Sequence, residues 1–386
     1  MIDKTKRRFL KQGLCGLSVY GVGAIWSNAL LADDNKPQNF VLASADKNGV
    51  RLPTGYSSRI VARSGQAVIT GKDFLWHAAP DGGACFATDK GGWIYVSNSE
   101  MSPTGGAGAL VFDANGDVTD AYSILENTNN NCAGGATPWG SWLSCEEIDS
   151  GQVWECYPDG KKPAVMRPAL GVFNHEAVTV DTINHHLYLT EDKKDGCLYR
   201  FTADSFFSED HADLSSGLLE VATRQKDSDK LAWADVPDPQ ASRQATRYQV
   251  PSAMTFNGGE GIAYYDGKII FTTKGDNRVW SYNTQSQQLG ILYDASDFLT
   301  PLLTGVDNVT VSKNGDIYVA EDGGDLQIVV IDSRGELYPI AQLEGHDRSE
   351  ITGIAFSPDG KRLYFSSQRG ISGQSENGIT YEIQGF

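Results

Sequence analysis

Strand–turn–strand units recur along this chain at a nearly fixed step, and each begins and ends on a polar residue. Glu176 stands at the start of HEAVTV and Glu191 at the end of LYLTED; Asp307 starts DNVTVS and Glu321 ends IYVAED. Glu260 starts EGIAYY and Lys274 ends IIFTTK, while Cys132 starts CAGGATP and Glu146 lies in WLSCEE. Apolar residues alternate on either side of NGD, DG or NH turns, the period-2 pattern of half-buried strands. In an antiparallel hairpin the start of the first strand and the end of the second lie at one rim. Every unit therefore delivers its pair to a common edge.

The step fixes the fold class. Glu100, Glu146 and Glu191 are 46 and 45 positions apart, and Lys274, Glu321 and Gln368 are 47 and 47 apart. Repeats of this length built from short strands predict an all-β, six-bladed β-propeller. Between Glu191 and Lys274 the step is 83, which predicts a polar insertion after the third blade, about 203–251, placed as a loop or lid over one face. An early strand over 56–61 is expected to join the last blade and close the ring. The acidic turns Asn115-Gly116-Asp117, Asn314-Gly315-Asp316 and Asp359-Gly360 read as ordinary solvated turns.

Residues 1–32 read as an export signal rather than as part of the fold. A basic Lys6-Arg7-Arg8 precedes Phe9-Leu10-Lys11 and an apolar run of small residues over 13–31, a twin-arginine-like arrangement. The twin-arginine export machinery is thus an expected partner, and the single propeller domain 33–386 is expected in the periplasm or secreted. No other stretch approaches the roughly 18 apolar residues of a membrane span, so no stable span is expected after processing. The formal net charge is −17, more negative still without the basic leader. Such a surface repels nucleic acid and anionic membranes, and repels anionic substrates unless bound cations reverse the sign locally.

Aligning the inner strands on Val178, Ile262, Val309 and Ile354 places Glu176, Glu260, Asp307 and Thr352 together, two positions earlier. The same rise puts Cys132 at the inner rim of the second blade. It is one of five cysteines beyond the leader, with Cys85, Cys145, Cys156 and Cys197, and an odd number leaves one outside any disulfide framework. Carboxylates crowded into a channel cannot all stay ionised without cations. Candidate ligands are Glu100, Glu146, Glu147, Glu176, Glu191, Asp192, Glu260, Asp307, Glu321 and Asp322, with Asn98 and Asn308 as neutral donors. This set favours hard ions such as Ca2+, with iron at the thiolate. The structural alternative is a calcium ion that only staples the blades.

NCAGGATPWGSWLSCEE, FNHEAVTVD, LYLTEDKKDGCLYRF, DNVTVSKNGDIYVAED and ITGIAFSPDGKRLYFSSQRG together resemble the PhoX-type alkaline phosphatase family. The resemblance implies a six-bladed propeller, twin-arginine export, and a cluster of Fe3+ and Ca2+ that hydrolyses phosphate monoesters, so that the partner is a phosphorylated small molecule. The family's iron-ligating cysteine falls on Cys132, with Cys145 of SCEE as the fallback, and its acidic ligands on Glu100, Glu176, Glu191, Glu260 and Glu321. Phosphate oxygens need cationic donors; Arg278 and Arg369, just past inner strand ends, are the candidates, followed by Lys274. The chain reads as a shorter member, and SSQRG stands where relatives carry a histidine-containing motif. A calcium-dependent propeller lactonase or esterase and a non-catalytic binding propeller are the competing readings.

Overall fold

Alternation along each strand sends successive side chains into different inter-blade cores. In His186–Glu191, Leu187 and Leu189 pack with Leu143 and Val153 of the preceding blade, while Tyr188 between them packs with Ile269 and Phe271 of the following one. Six apolar clusters result, one at each junction between neighbouring blades. Burial of both sheet faces is what makes the strands apolar on both sides near the axis.

The computed structural model describes residues 41–386; the expected export signal lies outside them. Six antiparallel sheets form the blades of a β-propeller. From the axis outward, the first blade is Pro80–Ala87, Trp93–Ser99, Gly105–Phe112 and Val118–Thr128. The inner hairpins of the next five are Asn131–Ala136 with Trp142–Glu146, His175–Asp181 with His186–Glu191, Gly259–Tyr265 with Lys268–Thr273, Val306–Val311 with Ile317–Glu321, and Ile351–Phe356 with Arg362–Ser367. Ring closure follows the expected route, because Ser57–Arg63 adds to Ile379–Gln384 as the outermost strand of the sixth blade.

Buried Glu382 locks that closure. It pairs with Arg59 at 2.7 Å and Arg362 at 3.0 Å and accepts from the Tyr364 hydroxyl at 2.6 Å. Arg59 and Arg362 also donate to the carbonyls of Gly116 and Asn115 in the first blade. The NGD turns hold as turns, with Gly116 and Gly315 at φ +88° and +85°, a region open to glycine at little cost, but Asp316 is buried rather than solvated.

The segment 203–251 contributes two further strands to the third blade, Gly217–Arg224 and Leu231–Asp235. The stretch 217–235 is therefore blade. The last part of the segment lies against the rim where the inner hairpins end: the Thr246 hydroxyl donates to Val172 O at 2.6 Å and the Tyr248 hydroxyl to Asp195 at 2.8 Å. All five cysteines of the described residues are free thiols.

Candidate metal centre and active site

Every innermost strand breaks register at nearly the same place. Pro80 pairs with Ser99 and then Gly83 with Ser97; His175 pairs with Glu191 and then Val178 with Leu189. Three steps on the inner strand thus oppose two on its neighbour, a β-bulge, and the second, fourth and fifth blades repeat it. In the sixth it falls one residue later, between Thr352 and Ala355. Bulges re-aim side chains, and here the first bulged residue in each of five blades is Asp81, Cys132, Glu176, Glu260 or Asp307. Three of their carbonyls are anchored to the preceding blade: Asn98 donates to Cys132 O at 3.1 Å, Thr190 to Glu260 O at 2.6 Å and Thr272 to Asp307 O at 2.5 Å.

These residues meet the ends of the second strands in four overlapping groups. The groups are Asp81, Glu100 and Cys132; Cys132, Glu147 and Glu176; Glu176, Glu260 and Asp307; and Asp307, Asp322 and Glu350. Within each, the ligand atoms lie within 4.8 Å of one another. Cys132 Sγ stands 3.4 Å from Glu176 Oε1. Consecutive groups share a corner, so they trace one continuous arc of oxygen atoms around a single sulfur.

The structure brings together Glu100, Cys132, Glu176, Glu260 and Asp307 as expected from the sequence, but it places Glu146, Glu191 and Glu321 outside these groups. A one-residue step reverses which face a strand residue presents. Glu146 accepts from the amides of Asn129 at 3.0 Å and Gln152 at 3.1 Å, and Glu321 from those of Thr304 at 2.7 Å and Gln327 at 2.9 Å. Glu191 accepts from the Cys197 amide at 3.1 Å and Tyr199 at 2.8 Å and pairs with Arg247 at 3.0 Å. All three brace the turn into the third strand, and the channel positions fall to Glu147, Asp192 and Asp322. Asn98 accepts from Trp142 and Ser144, both at 2.8 Å, and the Asn308 carbonyl accepts from the Gly353 amide at 2.7 Å. Cys145 is buried in the core between the second and third blades.

Two of the three candidate cations reach the arc. Lys274 Nζ lies 3.1 Å from Glu260, 3.4 Å from Asp307 and 3.2 Å from Asp322. Arg369 pairs with Glu350 at 2.8 Å and approaches Asp322 at 3.8 Å. Arg278 is held within its own blade by Asp294 at 2.7 Å and Asp276 at 2.9 Å.

Sequence reasoning missed Asp81 and Glu350. Asp81-Gly82 repeats the Glu260-Gly261 pair at the same point of the repeat, a signal that was legible. Glu350 lies one residue ahead of the inner strand, and only its bridge to Asp322 brings it in.

Electrostatics point to cations. Burial, then repulsion from neighbouring carboxylates, raises the pKa values of Asp81, Glu176 and Glu260, and moves Glu147 up to about 8. Burial likewise pushes the Cys132 thiol up, with Asp81 and Glu176 adding to it. A divalent or trivalent ion inverts this balance. Glu176 Oε2 is buried without a hydrogen-bond partner among the described residues. A thiol flanked by carboxylates, with an unpartnered buried oxygen, fits iron at Cys132 and hard ions along the carboxylates.

A model of the family described as alkaline phosphatase PhoX matches residues 95–164, 151–293 and 280–370. The chain belongs to the PhoX alkaline phosphatase family. It is therefore a phosphatase-type hydrolase whose family is metal-dependent. Among solved structures, PhoX of Pseudomonas fluorescens in complex with vanadate, a transition state analogue, is similar with a TM-score of 0.74 at 16% identity, over 89% of this chain and 97% of that one. A gluconolactonase of Xanthomonas campestris matches with a TM-score of 0.50 at 13% identity, over 91% and 95%. A Bacteroides thetaiotaomicron protein of unknown function matches at 0.54 and 9% identity, over 85% and 76%. At these identities the likenesses speak for the fold. No curated protein matches the sequence closely enough to count as a relative.

Proposed function

We propose that the channel hydrolyses phosphate monoesters of small molecules, with Fe3+ held by Cys132 together with neighbouring carboxylates and Ca2+ held along the carboxylate arc. The observation that carries this reading is the joining of one thiol, a run of carboxylates and two cationic side chains, Lys274 and Arg369, in a single channel. When bound, the ions offset the charge of the phosphate and lower the pKa of the attacking water. Arg369, anchored by Glu350, presents N–H donors to the equatorial oxygens, over which the transition-state charge is spread. Lys274 adds a point charge beside them, held fixed by three carboxylates, so little reorganisation is needed. Arg278, whose ion pairs both lie within its own blade, serves the blade instead.

The basic leader supports export by the twin-arginine machinery and a periplasmic or secreted location. A lactonase-type site with a single calcium ion would leave Cys132 and most of the arc without a role. Release of p-nitrophenol from p-nitrophenyl phosphate by the full chain, with and without a chelator, is the test. The reading expects chelator-sensitive release that returns when calcium and iron are restored. Absence of metal-dependent release throughout about pH 7–11, the range of an alkaline phosphatase, would reject it.

A further inference from the structure

The residue that follows the inner-hairpin pairing is a carboxylate in four blades: Glu100, Glu147, Asp192 and Asp322. In the sixth it is neutral Gln368, which donates to Asp81 and Glu100, both at 2.5 Å. The fourth blade alone puts a cation there, Lys274. Its ammonium does not turn outward. It lies against Glu260 and Asp307 of one trio and against Asp307 and Asp322 of the next, at 3.1–3.4 Å. Ammonium and metal ions seek the same oxygen atoms, and two cations cannot share them at hydrogen-bond distance without strong repulsion.

We infer that Lys274 is a built-in cation of the cluster, standing in for a divalent ion between these two trios and confining exchangeable metal to the arc from Asp81 through Cys132 to Glu176. The inference rests on the metal-dependent reading above and divides the channel. One half, with the thiol and, among the described residues, no ion pair to a basic side chain, holds metal; there Glu176 sets Oε1 3.4 Å from Cys132 Sγ while its Oε2 is buried without a hydrogen-bond partner. The other half carries its positive charge on Lys274 and Arg369, ion-paired with Glu260, Asp307, Asp322 and Glu350. A lysine keeps that charge when metal is scarce, which a bound ion does not.

The test is elemental analysis of metal-loaded full-length protein. Lys274→Arg keeps the charge and is expected to hold the same number of ions as the wild type. Lys274→Gln and Lys274→Glu are expected to hold one more calcium ion per chain, with circular dichroism confirming the fold. An unchanged or reduced count in folded Lys274→Gln would overturn the inference. Should that variant not fold, wild-type crystals loaded with calcium decide the matter: an ion bound to both Asp307 and Asp322 contradicts the assignment, and ions restricted to the Cys132 half support it. A metal-loaded wild type without phosphatase activity would instead reject the proposed reaction and leave the ion count to be judged on its own.

Discussion

Glu146 and Glu147 are neighbours in the chain with opposite tasks. Glu146 closes a loop by accepting two amides, while Glu147 shares a ligand group with Cys132 and Glu176. Substituting each by glutamine separates the tasks. Glu147→Gln is expected to lower metal content with little change in the melting temperature of the metal-free protein. Glu146→Gln is expected to retain the metal and to destabilise the fold by about 1–3 kcal/mol, since one of two buried donors loses a charged acceptor. Metal analysis and calorimetry on the pair check this. The repeat spacing carried the sequence reading to the right pair of residues each time. Which of the two faces the channel is a matter of strand register, and spacing known to within one residue cannot decide a period of two. Cys132 was legible because it lies in the inner strand, where Val178, Ile262 and Val309 fix the alignment; Glu350 was not, because it sits outside any strand.

At the scale of the element, the bulge is the device that makes five inner strands deliver ligands. The small residue behind four of the five ligands, Gly82, Ala133, Ala177 or Gly261, lets neighbouring strands approach closely. A Cβ on Gly82 would come within 2.4 Å of Ala133 Cα, and one on Gly261 within 2.5 Å of the Val309 amide nitrogen. Gly82→Ala must therefore push the inner strands of the first and second blades apart. The expected result is a loss of about 1–3 kcal/mol, typical of overpacking, together with reduced metal content because Asp81 and Cys132 separate. Denaturant unfolding and elemental analysis read the two effects; retention of full metal content would show that the bulge spacing does not set the site. Alternation made the strands legible, but the bulges were hidden, since an extra residue in a strand leaves the apolar pattern nearly intact.

The whole molecule depends on closing the ring so that six strand starts face one axis. Glu382 joins the early strand, the sixth blade and, through Arg59 and Arg362, the first. Burial works against its charge, but Arg59, Gln384 and Tyr364 outweigh it and hold its pKa below the ordinary 4.5. A depressed pKa contributes stability that is present above the unfolded value and is lost as pH falls through the folded one. Wild-type melting temperature is thus expected to fall steeply below about pH 4.5, while Glu382→Gln shows a flatter acid limb and is less stable at neutral pH by about 2–4 kcal/mol, reduced from a fully buried pair because Arg59 is partly solvated. Parallel acid limbs would argue against this lock. The ring and its six blades were readable from the repeat step, whereas the strands within 203–251 were not, because polar residues on a blade's outer edge look like loop.

Anomalous diffraction at the iron edge from crystals of metal-loaded protein tests the central claim most directly, because it locates the metal rather than its effects. The predicted peak lies within bonding distance of Cys132 Sγ, with Glu147 and Glu176 around it. Density centred on Glu146, Glu191 or Glu321, or none in the channel of protein shown to carry iron, would contradict it.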